Sequence, residues 1–174
     1  MGKIILVTGV AGTGKSTQEK LFRQEGYNTI DIDNGFASWQ RKDTRERVDA
    51  PVNQPASWYE AHDWYTEKEK LANYIAPFRS SLDPLLIFGN TADLYTLHDL
   101  FDTIFALEYH DEATIRHRID TRTDNNYGKD PVEFAALLSY YKPMQQHFLS
   151  VGAIPIDCTL PHEDIFSAIA DKTR

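Results

Sequence analysis

Residues 3–17 read Lys3-Ile4-Ile5-Leu6-Val7-Thr8-Gly9-Val10-Ala11-Gly12-Thr13-Gly14-Lys15-Ser16-Thr17. The first six are a short apolar, β-branched run of the kind that makes a buried strand, and the segment from Ser16 through Phe22 starts a helix. Between them, Gly9 to Ser16 satisfies G-x-x-x-x-G-K-[ST] at every fixed position, in the strand-to-helix context that the pattern needs. A triphosphate requires several donors aimed at one place, and glycines let successive backbone N–H groups converge without side-chain clashes. The helix N-terminus adds partial positive charge. On this pattern Gly9, Ala11, Gly12, Thr13 and Gly14 form the cradle. Lys15 reaches the β- and γ-phosphates, Ser16 faces Mg²⁺, and Thr17 lies beside it on the same first helical turn. The competing reading is a glycine-rich turn that binds nothing.

Composition narrows the partners. The chain has 174 residues, enough for one full core with insertions, and 18 basic against 26 acidic side chains give a net charge of −8. That balance opposes a broad nucleic-acid or anionic-membrane footprint. The single cysteine, Cys158, excludes an intrachain disulfide, and no Cys/His spacing resembles a zinc site. The sequence enters its first strand without a charged leader, and no apolar run approaches the ~20 residues that cross a bilayer. The expectation is a cytoplasmic protein without a membrane partner.

Outward from the cradle, the first helix should stop at Gly26. Thr29 to Asp33 alternates polar and apolar as a second strand and turns at Asp33-Asn34-Gly35. Ligands of open α/β sheets gather at the carboxyl ends of the strands, so Asp33 is a candidate to orient an acceptor hydroxyl and draw off its proton, or to hold a Mg²⁺-bound water. Alternatively it caps a helix starting at Asn34. Residues 34–83 read as an inserted helical cap. A helix is expected over Phe36–Val48, with Trp39 on one side and Arg41, Lys42, Arg45 and Arg47 on others. A two-proline break follows, then a short helix capped by Ser57 and carrying Trp58, Tyr59, His62, Asp63 and Trp64, and a longer one from Glu67 to Phe78 capped by Thr66. Trp39 and Trp64 are candidates to stack a planar acceptor, or they pack the cap onto the sheet. His62-Asp63 either orients a substrate or holds a helix junction, and the basic run is a solvated face or an anion site.

Pro84 to Phe88 is a buried parallel strand ending in Gly89-Asn90, where Gly89 permits close approach of a ligand. The strand end where many nucleotide-binding proteins carry a Mg²⁺-linked aspartate is apolar here, and Asp93 comes later. Leu94–Phe101 reads as helix and Thr103–Leu107 as the fourth strand. A helix from Asp111 follows, on which Arg118 and Arg122 share a face. The loop over residues 122–131 then reads as a lid whose arginines close over the triphosphate, or as a salt-bridged surface. Val132–Leu149 is a long helix, Ala153–Cys158 the fifth strand, and the final helix begins near Leu160.

The layout resembles the small P-loop kinases grouped with nucleoside monophosphate kinases and shikimate kinase. The resemblance rests on Gly9 to Ser16, Asp31-Ile32-Asp33, Arg118-Ile119-Asp120-Thr121-Arg122 and Ile156-Asp157-Cys158-Thr159 with Pro161. The Asn125-Asn126-Tyr127-Gly128-Lys129 segment is similar to lids of adenylate-kinase-like ATP-binding proteins. It implies an α/β P-loop three-layer sandwich in one domain: core 1–33, 84–122 and 132–174, cap 34–83, and lid 122–131, with the cradle strand central in a five-stranded parallel sheet. It further implies that Asp33 meets the acceptor hydroxyl, that Gly89 and Asn90 lie on the acceptor side, that Arg118 and Arg122 touch adenine and phosphates, and that Thr159 and Pro161 line the adenine pocket. No Asp-Gly-Phe-Pro-Arg segment follows the third strand, a departure from adenylate kinases proper. The expected activity is ATP- and Mg²⁺-dependent phosphoryl transfer to a nucleotide, nucleoside or other small hydroxyl acceptor. The alternatives are an ATPase switch without a small-molecule acceptor and, opposed by the charge, a polynucleotide 5′-kinase.

Overall fold

Ile4–Thr8 forms strand β1, every residue of which is buried. An unbroken apolar strand is what a position covered on both faces requires. In the computed structural model, which describes residues 2–51, 54–123 and 126–173, β1 is the centre of a five-stranded parallel sheet. Its partners are β5 (Leu85–Phe88) on one side and β6 (Thr103–Glu108) on the other; β2 (Asn28–Asp31) and β7 (Ile154–Asp157) form the edges. Leu6 pairs with Ile87 and with Ile104, which puts the apolar rows in register across the middle. The strand order β2-β5-β1-β6-β7 places the ends of β1 and β2 on one rim with β5 between them.

Helices flank the sheet: α1 (Lys15–Gln24), α4 (Glu112–Thr121), α5 (Pro131–Ser150) and α6 (His162–Thr173). Phe22 of α1, fully buried, joins the first and last helices, its ring centroid 4.4 Å from Phe166 and 6.0 Å from Phe88. Asp111 caps α4 by accepting from the Thr114 amide, and Asp130 caps α5 by accepting from Val132. Leu94–Leu100 is 3₁₀ rather than α-helix. No helix among the described residues is long and apolar enough to cross a membrane.

The cap departs from the helical reading. Instead of a helix over 36–48, Ala37–Arg41 is a strand, β3, paired antiparallel with β4 (His62–Thr66), so that Trp39 stands opposite Trp64 and Ala37 opposite Thr66. His62, Asp63 and Trp64 therefore sit on a strand, after a helix α2 confined to Ala56–Ala61 and preceded by Pro55 rather than capped by Ser57. The reason is tertiary. Pairing with a segment some twenty residues away satisfies the backbone that a helix would satisfy locally, and the cross-strand Trp39–Trp64 contact, 5.6 Å between ring centroids, adds aromatic packing. Thr66 begins no helix; α3 spans Lys68–Ile75, followed by a 3₁₀ turn over Ala76–Ser80.

The hairpin is fastened to the core beyond β5. The Ala92 amide donates to the Trp64 carbonyl at 2.9 Å, the Thr66 amide to Asp93 at 3.0 Å, and Arg45 pairs with Asp93 at 3.4 Å while lying over the Tyr65 ring. Asp93 is thus a clasp between cap and core.

Gly89 ends β5 with φ +141°, and a Cβ there would fall 2.8 Å from Cβ of buried Ile32. Its smallness serves the packing of the β2 turn onto β5. Gly89→Ala should lower stability by about 1–3 kcal/mol through overpacking and backbone strain. Chemical denaturation checks this, and an unchanged midpoint overturns it.

Candidate active site

The loop after β1 delivers the cradle to the top of α1, whose first helical residue is Lys15. Gly12 has φ +85°, and a Cβ on it would stand 2.9 Å from Ile115 of α4, so the loop lies flush against that helix. Thr13 is fully buried and turned inward, its hydroxyl donating to the Val10 carbonyl at 2.9 Å. Gly9 is buried against Leu107. Ala11, Gly12, Gly14, Lys15, Ser16 and Thr17 line a cavity of about 940 Å³, a volume in the upper range of ligand pockets. The Lys15 ammonium donates to the carbonyls of Gly9 at 2.7 Å and Val10 at 2.9 Å.

The same cavity reaches the end of β2. Asp31 and Asp33 both line it. The Asp33 amide donates to Asp31 Oδ1 at 2.9 Å, and Asp33 Oδ1 accepts from Trp64 Nε1 at 2.8 Å. No helix begins at Asn34, so Asp33 caps nothing. Burial raises the Asp31 carboxyl above the usual range, with the Asp33 charge adding to it and the Asp33 amide opposing.

Beyond the carboxylates the wall is aromatic. Trp39 packs edge-on against Trp58, Tyr59 and Trp64, and His62 stacks on Trp58 at 3.9 Å. Trp39, Tyr59, His62, Asp63 and Trp64 all face the cavity. Lys42, from the predicted basic run, faces it as well; its ammonium donates to the Tyr59 carbonyl at 2.6 Å and lies 3.9 Å from Asp63. Burial raises the Asp63 carboxyl, against the Trp64 amide and Lys42. At the floor, Asn90 Nδ2 donates to Met144 Sδ at 3.0 Å, and the Tyr140 hydroxyl donates to the Thr91 carbonyl at 3.1 Å.

Arg118, Thr121, Arg122 and Tyr127 line the cavity as well. Arg122 follows the last residue of α4 and donates to the Tyr127 carbonyl, while Lys129 returns a bond to the Arg122 carbonyl at 2.8 Å. Arg116 holds the loop from below, binding Asp120 and the Lys129 carbonyl and lying over Phe134. Asp124 and Asn125 of the expected lid lie outside the described residues. The Tyr59 hydroxyl donates to Gln54 Oε1 at 2.6 Å and lies 3.2 Å from Glu133 Oε1 of α5, and Glu133 accepts from the Gly128 amide at 2.8 Å.

Several expected residues stand off the cavity. Gly9, Thr13 and Gly89 are buried behind it, and Thr159 and Pro161 are exposed in the turn after β7, where Thr159 bonds to Asp157. The residue of that turn that faces the cradle is His162, whose carbonyl accepts from Gln18 of α1 at 2.9 Å. Asp31, Tyr59, Thr91, Tyr127, Tyr140 and His162 were not among the candidates, and Lys42 entered only as a member of the basic run. Asp31 could have been found from its alternation with Asp33, but the others are scattered and carry no local signal.

The residues suit a magnesium ion brought in with a nucleotide. No group of three or more His, Cys, Asp or Glu able to hold a metal occurs among the described residues, whereas Ser16 and the two rim carboxylates border one space. Mg²⁺ binds in this manner, through one or two protein groups plus phosphate oxygens.

Burial pushes the Lys15 ammonium down to about 8, with Asp33 and Asp31 pulling upward and Arg122 adding to the depression. A bound triphosphate favours the charged form. Above about pH 8, binding must therefore take up a proton, and ATP affinity should fall as pH rises further; well below it the charge is already present and the dependence on this group vanishes. Calorimetry in buffers of different ionisation enthalpy measures the uptake, and its absence at about pH 9 counts against a phosphate role for Lys15.

No protein-family model matches the sequence, and no curated protein matches it either. Among solved structures, a sugar kinase from Janibacter sp. superposes with a TM-score of 0.60 at 15% identity, covering 98% of this chain and 94% of that one. A shikimate kinase from Bacteroides thetaiotaomicron gives 0.60 at 14%, covering 98% and 97%. A gluconokinase from Sinorhizobium meliloti gives 0.53 at 18%, covering 98% and 94%. The chain has the fold of the small P-loop kinases, with the five-stranded parallel sheet and flanking helices expected of it.

Proposed function

We propose that this protein is an ATP- and Mg²⁺-dependent phosphotransferase acting on a small hydroxyl-bearing acceptor. The observation that carries the reading is the continuity of one cavity from the Gly12–Thr17 cradle to the Asp33 carboxylate, with Lys15 close enough to Asp33 to feel its charge. The solved structures sharing the fold are named as kinases, which supports the same class.

In this reading the cradle amides and Lys15 hold the donor phosphates, Ser16 and a rim carboxylate hold Mg²⁺, and the metal supplies charge neutralisation at the phosphates. Asp33, fixed by Trp64, accepts the proton of the acceptor hydroxyl. The acceptor oxygen bonds to the γ-phosphorus as the bond from that phosphorus to the ADP oxygen breaks. Arg118 and Arg122 face the charge that develops. Labelled ATP incubated with sugars, polyols, nucleosides, nucleotides and shikimate tests the proposal. A phosphorylated product supports it, and ATP loss at one rate with every compound and with none points to a nucleotide-hydrolysing switch.

A further inference from the structure

The acceptor end of the cavity has its own electrostatic character. Three carboxylates, Asp31, Asp33 and Asp63, face it; of the cations near them, Lys42 is engaged with Asp63 and the Tyr59 carbonyl, and Lys15 belongs to the cradle, where it donates to the Gly9 and Val10 carbonyls. The arginines of the cap are turned elsewhere. Arg41 pairs with Asp43, Arg45 with Asp93 and the Tyr65 ring, and neither lines the cavity; Arg47 does not line it either. The arginines that do line it among the described residues, Arg118 and Arg122, come from α4 and the residue after it, not from the cap. Recognition of a carboxylate or phosphate group calls for an arginine fork or an equivalent set of donors, and the acceptor end presents acceptors and aromatic surface instead. Trp39, Tyr59 and Trp64 give that surface.

Resting on the phosphotransferase reading above, we infer that the acceptor is a neutral or amine-bearing molecule with a flat apolar face and several hydroxyls, and that Asp63 and the rim aspartates select against anionic acceptors. Sugar-like polyols and nucleosides share this chemistry; sugar acids and nucleoside monophosphates do not. The fold accommodates acceptors of either kind, so the selection lies in these side chains and not in the architecture.

Two measurements decide it. The three tryptophans of the chain all lie in the cap, and two of them line the cavity. With each ion's constant for quenching their fluorescence divided by its value for free N-acetyltryptophanamide, caesium should exceed iodide by about threefold or more, because the carboxylates beside the indoles concentrate cations there. Asp63→Asn, which keeps the oxygen that accepts from the Trp64 amide, should shrink that ratio. Equal normalised constants, or a larger one for iodide, overturn the inference whatever the enzyme's activity.

The second is transfer from labelled ATP to matched sets: glucose, glucosamine and gluconate; adenosine and adenosine monophosphate. The uncharged or aminated member should exceed the anionic one in kcat/KM by about tenfold or more in any set that reacts. A preferred anion refutes the inference while leaving the kinase reading intact. ATP turnover with no phosphorylated product from any compound counts against both.

Discussion

Lys15→Ala should lower phosphoryl transfer by about 10²–10³-fold, the scale of removing one preorganised charge from a developing transition state. The ammonium sits within the cradle, donating to the Gly9 and Val10 carbonyls, and burial has already brought its pKa to about 8. A charge held at such a cost to solvation interacts strongly with a phosphate entering the same space. Stability should move differently. Alanine is a better first-turn helix residue than a buried, desolvated lysine, and the Val10 carbonyl keeps its bond from Thr13, so the melting temperature should be no lower than that of the wild type. Loss of activity with unchanged melting locates the effect in chemistry. Equal turnover by the variant in a labelled-ATP assay would sink the assignment of the cradle.

The contrast between cradle and cap explains what could be read from the sequence. Gly9 to Ser16 is contiguous, and its geometry is dictated by residues within a few positions, so both the loop and its neighbouring strand and helix were legible. Leu85 to Phe88 and Ile104 to Leu107 announced themselves by unbroken apolar character. The hairpin did not, because Ala37-Ser38-Trp39-Gln40-Arg41 has little strand preference of its own and takes that form only opposite His62–Thr66. Gly89 illustrates a second kind of opacity. A glycine at a strand end suits close approach of a ligand and close approach of the protein's own backbone equally well, and here Ile32 is the neighbour. The turn after β7 is a third case: Thr159 and Pro161 sit where the resemblance directs attention, but it is His162, the first residue of α6, that lines the cavity, its ring 3.7 Å from where a Cβ on Gly14 would stand.

Asp33→Asn should reduce kcat by about 10²–10⁴-fold, the usual contribution of a positioned general base, with little change in KM for ATP. The substitution separates two roles that alanine would confuse. Asparagine retains an oxygen to accept from Trp64 Nε1, so the β2 turn stays fastened to the β4 strand, and it removes only the capacity to take a proton and the negative charge. Asp31→Asn is the informative companion. Asp31 accepts from the Asp33 amide, a bond that its amide counterpart also keeps, and it is half-buried at the end of β2 where Asp33 is exposed. If Asp33 receives the proton, the Asp31 variant should lose at most about tenfold, through the electrostatics of its neighbour and not through the reaction itself. A reversed order, with Asp31→Asn the more damaging, would transfer the base to Asp31 and leave Asp33 as the anchor of Trp64.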